Sequence, residues 1–140
     1  MSTRSFIGMK DSSTGGIEAV YCHFDGYPLG VGSTLVNQWS SQQKLQELLN
    51  LGDLSQLGDE IGEQHDFNAQ LRGACTFYGR DRREDGVNSK FFINEQEFLA
   101  GAGRFGCEYA YLFDAGVWRA WAWMDGAFEF DLSAEIHSSK

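Results

Sequence analysis

The hydrophobic pattern divides the chain into short strands and helices separated by glycine-rich turns. Ser5-Phe6-Ile7-Gly8-Met9-Lys10 reads as a short strand, and the polar, glycine-ended segment Asp11 to Gly16 returns it as a hairpin. The partner strand spans Ile17 to His23. Period-two geometry puts Ile17, Ala19, Tyr21 and His23 on one face and Val20, Cys22 and Phe24 on the other, so both faces carry apolar groups and the strand belongs in the covered part of a sheet. His23 to Thr34 then joins strand to helix: Asp25-Gly26 supplies a turn and Pro28 suits an early helical position. Val31, Leu35 and Trp39 recur at helical spacing, which predicts a helix over Leu29 to Trp39. Ser40 or Ser41 caps a second helix whose apolar stripe is Leu45, Leu48 and Leu49 and whose end is Gly52. Asp53 to Gly58 predicts one further helical turn, capped by Asp and closed by Gly.

Residues 59–72 lack a period and read as an irregular connection. Ala74 to Tyr78 is a brief strand, and Gly79 to Gly86, dense in charge, is a loop. Asn94 followed by Glu97 is a capping box, predicting a short helix through Ala100 with Phe98 and Leu99 inward. Cys107 to Phe113 and Val117 to Met124 form the clearest β pattern, a hairpin about Asp114-Ala115-Gly116; Asp125-Gly126 adds a last strand from Ala127 to Leu132. Residues 132–140 read as a frayed tail. With no repeat, low-complexity segment or linker, the fold class is a single α+β domain over residues 1–140: an antiparallel sheet with two to three short helices on one face.

Composition narrows the partners. In 140 residues, 42% apolar and 14% aromatic content is enough for a substantial core, and 20 acidic against 11 basic residues give −9. That charge disfavours direct nucleic-acid or anionic-membrane binding and favours a basic protein partner. No basic leader opens the chain and no apolar run approaches the roughly 20 residues a membrane helix needs, so a cytoplasmic protein is expected. Cys22, Cys75 and Cys107 are odd in number and far apart, which argues for reduced, buried thiols. Three scattered histidines, His23, His65 and His137, give no metal-ligand spacing, so neither a metal nor a cofactor is expected.

Two stretches carry candidate chemistry. At the helix start after Asp25, unpaired backbone N–H groups near Gly30 and Gly32, with the Ser33 hydroxyl, would cradle a phosphate or carboxylate, although the spacing matches neither the dinucleotide fingerprint nor the P-loop. His23 and Asp25, two apart in an extended segment, project to one side as a base and its orienting carboxylate. Arg80-Asp81-Arg82-Arg83 is a local basic cluster in an acidic chain, and arginine forks bind small anions bidentately; Asp81, Glu84 and Asp85 would alternatively neutralise it. The aromatics of the last hairpin belong to the core, or leave an interface patch that would make the chain a homo-oligomer.

Tyr21-Cys22-His23-Phe24-Asp25-Gly26-Tyr27-Pro28 with Gly32 and Leu35, then Leu51 to Gly58, Tyr78 to Arg82, and Tyr109 to Phe113 with Trp118, resemble a family of small phage and prophage proteins over most of the chain. Phe24 departs from the family pattern, which has Trp there. The resemblance brings no activity and no catalytic residue; it implies a viral accessory role, by class a counter-defence factor. The leading expectation is a non-enzymatic protein that sequesters a small anionic, nucleotide-like immune signal with His23, Asp25, Tyr27, Gly30, Gly32, Ser33, Arg80 and Arg82. Two alternatives stand beside it: an acidic inhibitor that binds a basic host effector as a nucleic-acid mimic, and a hydrolase using His23 and Asp25 on a nucleotide-like substrate.

Overall fold

A computed structural model describes residues 2–69 and 71–138. In chain order the strands are β1 (Ser5–Lys10), β2 (Ile17–Cys22), β3 (Leu54–Gln56), β4 (Thr76–Phe77), β5 (Lys90–Phe92), β6 (Tyr109–Asp114), β7 (Val117–Trp123) and β8 (Ala127–Phe130). The α-helices are α1 (Ser33–Gln38), α2 (Gln42–Asn50), α3 (Tyr78–Arg82), α4 (Glu95–Arg104) and α5 (Leu132–Ser138), and a π-helical turn over Pro28–Gly32 leads into α1. One sheet runs β4-β3-β2-β1-β6-β7-β8, with β5 also paired to β2. The chain is α+β, as its pattern predicts.

Both sheet faces are covered, which is why β2 carries apolar residues on each. On one face Ile7, Val20, Cys22 and Tyr111 meet Leu35 of α1, Leu45, Leu48 and Leu49 of α2, and Leu132 and Ile136 of α5. On the other, Phe6, Ile17, Ala19, Ala110, Leu112 and Trp121 meet Phe98 and Ala102 of α4. The helices therefore lie on two faces rather than one. Ser41 and Asn94 cap α2 and α4 by accepting the N–H groups of Lys44 and Glu97, and α4 runs through Gly101 to Arg104 instead of stopping at Ala100. Both late hairpin turns place two residues at positive φ, Ala115-Gly116 at 51° and 83° and Asp125-Gly126 at 55° and 103°, which matches the right-handed twist of the flanking strands.

The sheet is mixed, not antiparallel: β1 pairs β6 in parallel and β2 pairs β3 in parallel. Parallel neighbours need a crossover, and α1 and α2 provide it between β2 and β3. Asp53 does not cap a helix there. Its carboxylate accepts the Tyr21 N–H at 2.9 Å and binds Lys90 Nζ at 2.9 Å, so long-range partners draw Leu54–Gln56 out as a strand. Tyr78, expected to end a strand, and residues 79–82, expected within a loop, form α3, closed by Arg83 at φ 58°. The tail expected to fray continues as α5 to Ser138, because Leu132 and Ile136, one helical turn apart, enter the core; residues 139–140 lie outside the described residues.

Candidate functional site

The strand-to-helix junction is tied down by its own backbone. Past β2, the N–H groups of His23 and Phe24 donate to the carbonyls of Leu54 and Ser55, each at 3.0 Å. Asp25 turns the chain at φ 59°, and the carbonyl of Gly26 accepts the buried Tyr111 hydroxyl at 2.6 Å. Gly30 N–H donates to Tyr27 O at 3.0 Å and Val31 N–H to Asp25 O at 2.8 Å; Ser33 N–H donates to Pro28 and Gly30 carbonyls. The N–H groups of Gly30, Val31 and Ser33 are thus occupied by the protein. The glycines serve close approach to the protein itself: a Cβ on Gly30 would lie 2.3 Å from Asp25 O, and one on Gly32 would lie 3.0 Å from Leu132 Cδ1. The Ser33 hydroxyl accepts the Asn37 amide at 3.3 Å, and Tyr27 stands 43% exposed with its hydroxyl 3.5 Å from Asp25 Oδ1.

Arg80 and Arg82 are not at this junction. β3 lies between them and it: the chain after β2 bonds one edge of β3, and β4, which leads into α3, pairs the other. Arg80 donates to the carbonyls of Ile61, Gly62 and Cys75 and forks onto the Asp81 carboxylate at 3.0 and 3.1 Å. Asp81 in turn accepts the N–H groups of His65 and Phe77. Arg82 pairs with Glu84 at 2.7 Å and lies over the rings of Phe67 and Tyr78. Arg80 is a clamp that ties the carbonyls of Ile61, Gly62 and Cys75 together, and the guanidinium groups of Arg80 and Arg82 are engaged by the protein.

What does gather at His23 was not foreseen. Its Nδ1 is 2.7 Å from the Tyr21 hydroxyl, not bonded to Asp25, and its ring meets the edge of Phe24. Burial and the nearby Arg4 charge together hold the His23 imidazole below its ordinary 6.5. Among the described residues Arg4 forms no ion pair; its guanidinium borders Gly106, beside the half-exposed ring of Phe105. Next to Tyr21, burial pushes the Asp53 carboxyl up against the pull of the Tyr21 N–H and Lys90. We expect an NMR titration of His23 to show a midpoint below 6.5, and Arg4→Met to move that midpoint partway back up. Because the folded value is the lower one, the stability tied to neutral His23 is lost as pH falls from 6.5 through that midpoint. The three cysteines are buried and free, and burial raises the Cys75 thiol to about 11 and the Cys107 thiol to about 12, which makes them poor nucleophiles.

A groove of about 740 Å³ lies elsewhere, at the end of the sheet. Register builds its floor: Phe113 pairs with Met9, Met9 with Glu18 and Glu18 with Phe91, so these four share one face across β6, β1, β2 and β5. Gln42 and Gln46 of α2 form a wall; along the row Phe113 is buried, Met9 and Glu18 are half-buried and Phe91 is exposed. Phe91 is 77% exposed and Ile93 79% exposed. The alternation of Lys90-Phe91-Phe92-Ile93 was available as a strand signal, since Phe92 turns in to Phe6 and Phe98 while Phe91 turns out.

Charge is distributed unevenly. All three described lysines and Arg80, Arg82 and Arg119 are paired with carboxylates. Glu47, Asp59, Glu63 and Asp66 are exposed and form no ion pair among the described residues. Lys44 Nζ donates to Asp59 O and binds Glu60, fastening the acidic loop beside α2 one turn from Glu47, while Asp53 is buried on Lys90. Among the described residues no helix is long and apolar enough to cross a membrane, and no group of three or more His, Cys, Asp or Glu is placed to hold a metal ion. No protein-family model, curated protein or solved structure matches the chain.

Proposed function

We propose that this chain is a non-enzymatic binding protein that engages a basic protein partner through its acidic surface, as a nucleic-acid mimic would. The observation that supports this reading is that six of the ten described Lys and Arg side chains are paired with carboxylates, while Glu47, Asp59, Glu63 and Asp66 are exposed and form no ion pair among the described residues. Such a surface raises encounter rates with a positive partner, and its effect is screened by salt. Carried to this chain, the phage resemblance makes the partner a host defence effector. The immobilised protein is expected to retain a partner from host lysate at about 50 mM salt and release it at about 500 mM, where the screening length is only a few ångströms. A variant carrying Glu47→Gln, Asp59→Asn, Glu63→Gln and Asp66→Asn is expected to retain little, and equal retention by both proteins would remove the reading.

A second reading, sequestration of a small anionic ligand, is favoured by one feature, the unpaired Arg4 beside Tyr21 and His23. In this version Arg4 replaces Arg80 and Arg82 as the cation. Mass spectrometry of small molecules released on denaturation distinguishes it: a nucleotide retained by the wild type and lost in Arg4→Met supports it, and no released anion removes it.

A further inference from the structure

We propose that the groove at the end of the sheet is the seat of an extended apolar and basic segment of the partner, laid over Met9, Glu18 and Phe91. This rests on the acidic-binder reading and names where that binder grips.

The occupant follows from the chemistry of the lining. Phe91 on β5 and Ile93 just beyond its end are exposed and line the groove, and among the described residues β5 has a strand neighbour, β2, on one side only. Large apolar groups left this exposed on an edge strand mark a surface meant to be covered. An extended segment crossing the row directs alternate side chains into the groove, so an apolar residue at every second position sets apolar groups against Phe91 and Ile93.

Charge settles what accompanies those apolar residues. Glu18 sits in the middle of the row, its oxygens bonded to the Gln46 amide at 2.9 Å and the Ser89 hydroxyl at 2.7 Å, both neutral donors. Its negative charge is therefore solvated but not neutralised. Lys10, the cation on the lining, is held by Asp114 at 3.7 Å, and Asp11 on the neighbouring turn is exposed, receives the Ser13 N–H and hydroxyl, and forms no ion pair among the described residues. A phosphate or acidic segment would meet net negative charge here; a lysine or arginine flanked by apolar residues would not. A second copy of the chain would bring a net charge of −9 to an acidic groove, so repulsion disfavours it.

The test uses fluorescence anisotropy of the full chain with two labelled heptapeptides, one alternating lysine and leucine, the other glutamate and leucine. The lysine peptide is expected to bind and the glutamate peptide not. Phe91→Ser with Ile93→Ser should weaken the lysine peptide about tenfold or more, and Glu18→Gln several-fold. Both apolar positions are exposed, so the folded state survives the double substitution; unchanged thermal melting checks this, and Glu18→Gln is the independent arm. Equal binding of the lysine peptide by the wild type and the double variant would overturn the groove while leaving the acidic-binder reading in place. Binding that depends on Phe91 and Ile93 but is indifferent to salt and peptide charge would overturn the basic occupant and that reading together. A concentration-dependent dimer lost in the double variant would make a second copy the occupant, and would equally overturn the proposal.

Discussion

Asp81→Ala is expected to cost about 3–5 kcal/mol of stability, the range for removing one partner of a buried ion pair. The Asp81 side chain is fully buried and Arg80 is only 14% exposed, so the substitution leaves a guanidinium without its carboxylate. It also orphans the N–H groups of Phe77 and His65, which Asp81 accepts at 2.8 and 3.1 Å. Chemical denaturation measures the loss. The same interactions fix the acid limit of the fold: burial raises the Asp81 carboxyl, but Arg80 and the two N–H groups outweigh it and hold the group below its ordinary 3.8. Its contribution is complete above about 3.8 and is lost as pH falls through the lower folded value. If Arg80 instead served a ligand, Asp81→Ala would leave stability near the wild type.

Gly30→Ala is expected to destabilise by the upper end of the about 1–3 kcal/mol that overpacking typically costs. The added methyl would meet the Asp25 carbonyl oxygen at 2.3 Å, and that oxygen is also the acceptor of the Val31 N–H, so it cannot move away without breaking the bond that starts the π-helical turn. A thermal melt compared with the wild type reads the effect. A glycine kept bare for a ligand would behave differently: alanine there would leave the melt unchanged and alter binding alone.

The hairpins were legible in the sequence because their information is local. Asp-Ala-Gly and Asp-Gly between apolar runs specify positive-φ turns, and Ser41 and Asn94 sit where their helices begin. The element order was less so, since nothing local distinguishes a parallel neighbour from an antiparallel one. Asp53 misled for a physical reason: an aspartate before an apolar pair suits a helix start, but here its partners are Tyr21 and Lys90, 32 and 37 residues away. α5 was readable from Leu132 and Ile136 one turn apart and from Asp131 accepting the Ala134 N–H, though a short polar segment at the end of a chain reads as loose.

The candidate site was legible only in its parts. His23 and its turn do occupy the end of β2, but a glycine that admits a ligand and a glycine that admits the protein's own carbonyl look identical in sequence. An arginine run likewise does not reveal whether its forks are free. Arg80 spends its donors on the carbonyls of Ile61, Gly62 and Cys75, partners that no spacing rule connects to it. Conversely, Arg4 stands alone in the sequence and gains meaning only when β1 lies beside β2 and β6. The acidic excess was visible from the outset; that Asp59 and Glu60 lie beside α2 follows from Lys44, which binds Gln38, Asp59 and Glu60 together.

The measurement that bears most directly on the acidic surface is the association rate of the captured partner as a function of ionic strength, for the wild type and for the variant neutralised at Glu47, Asp59, Glu63 and Asp66. The wild-type rate is expected to fall about tenfold or more between roughly 50 and 300 mM salt, and the variant to start slow and change little. Matching rates with matching salt dependence in the two proteins would contradict a partner drawn in by these carboxylates.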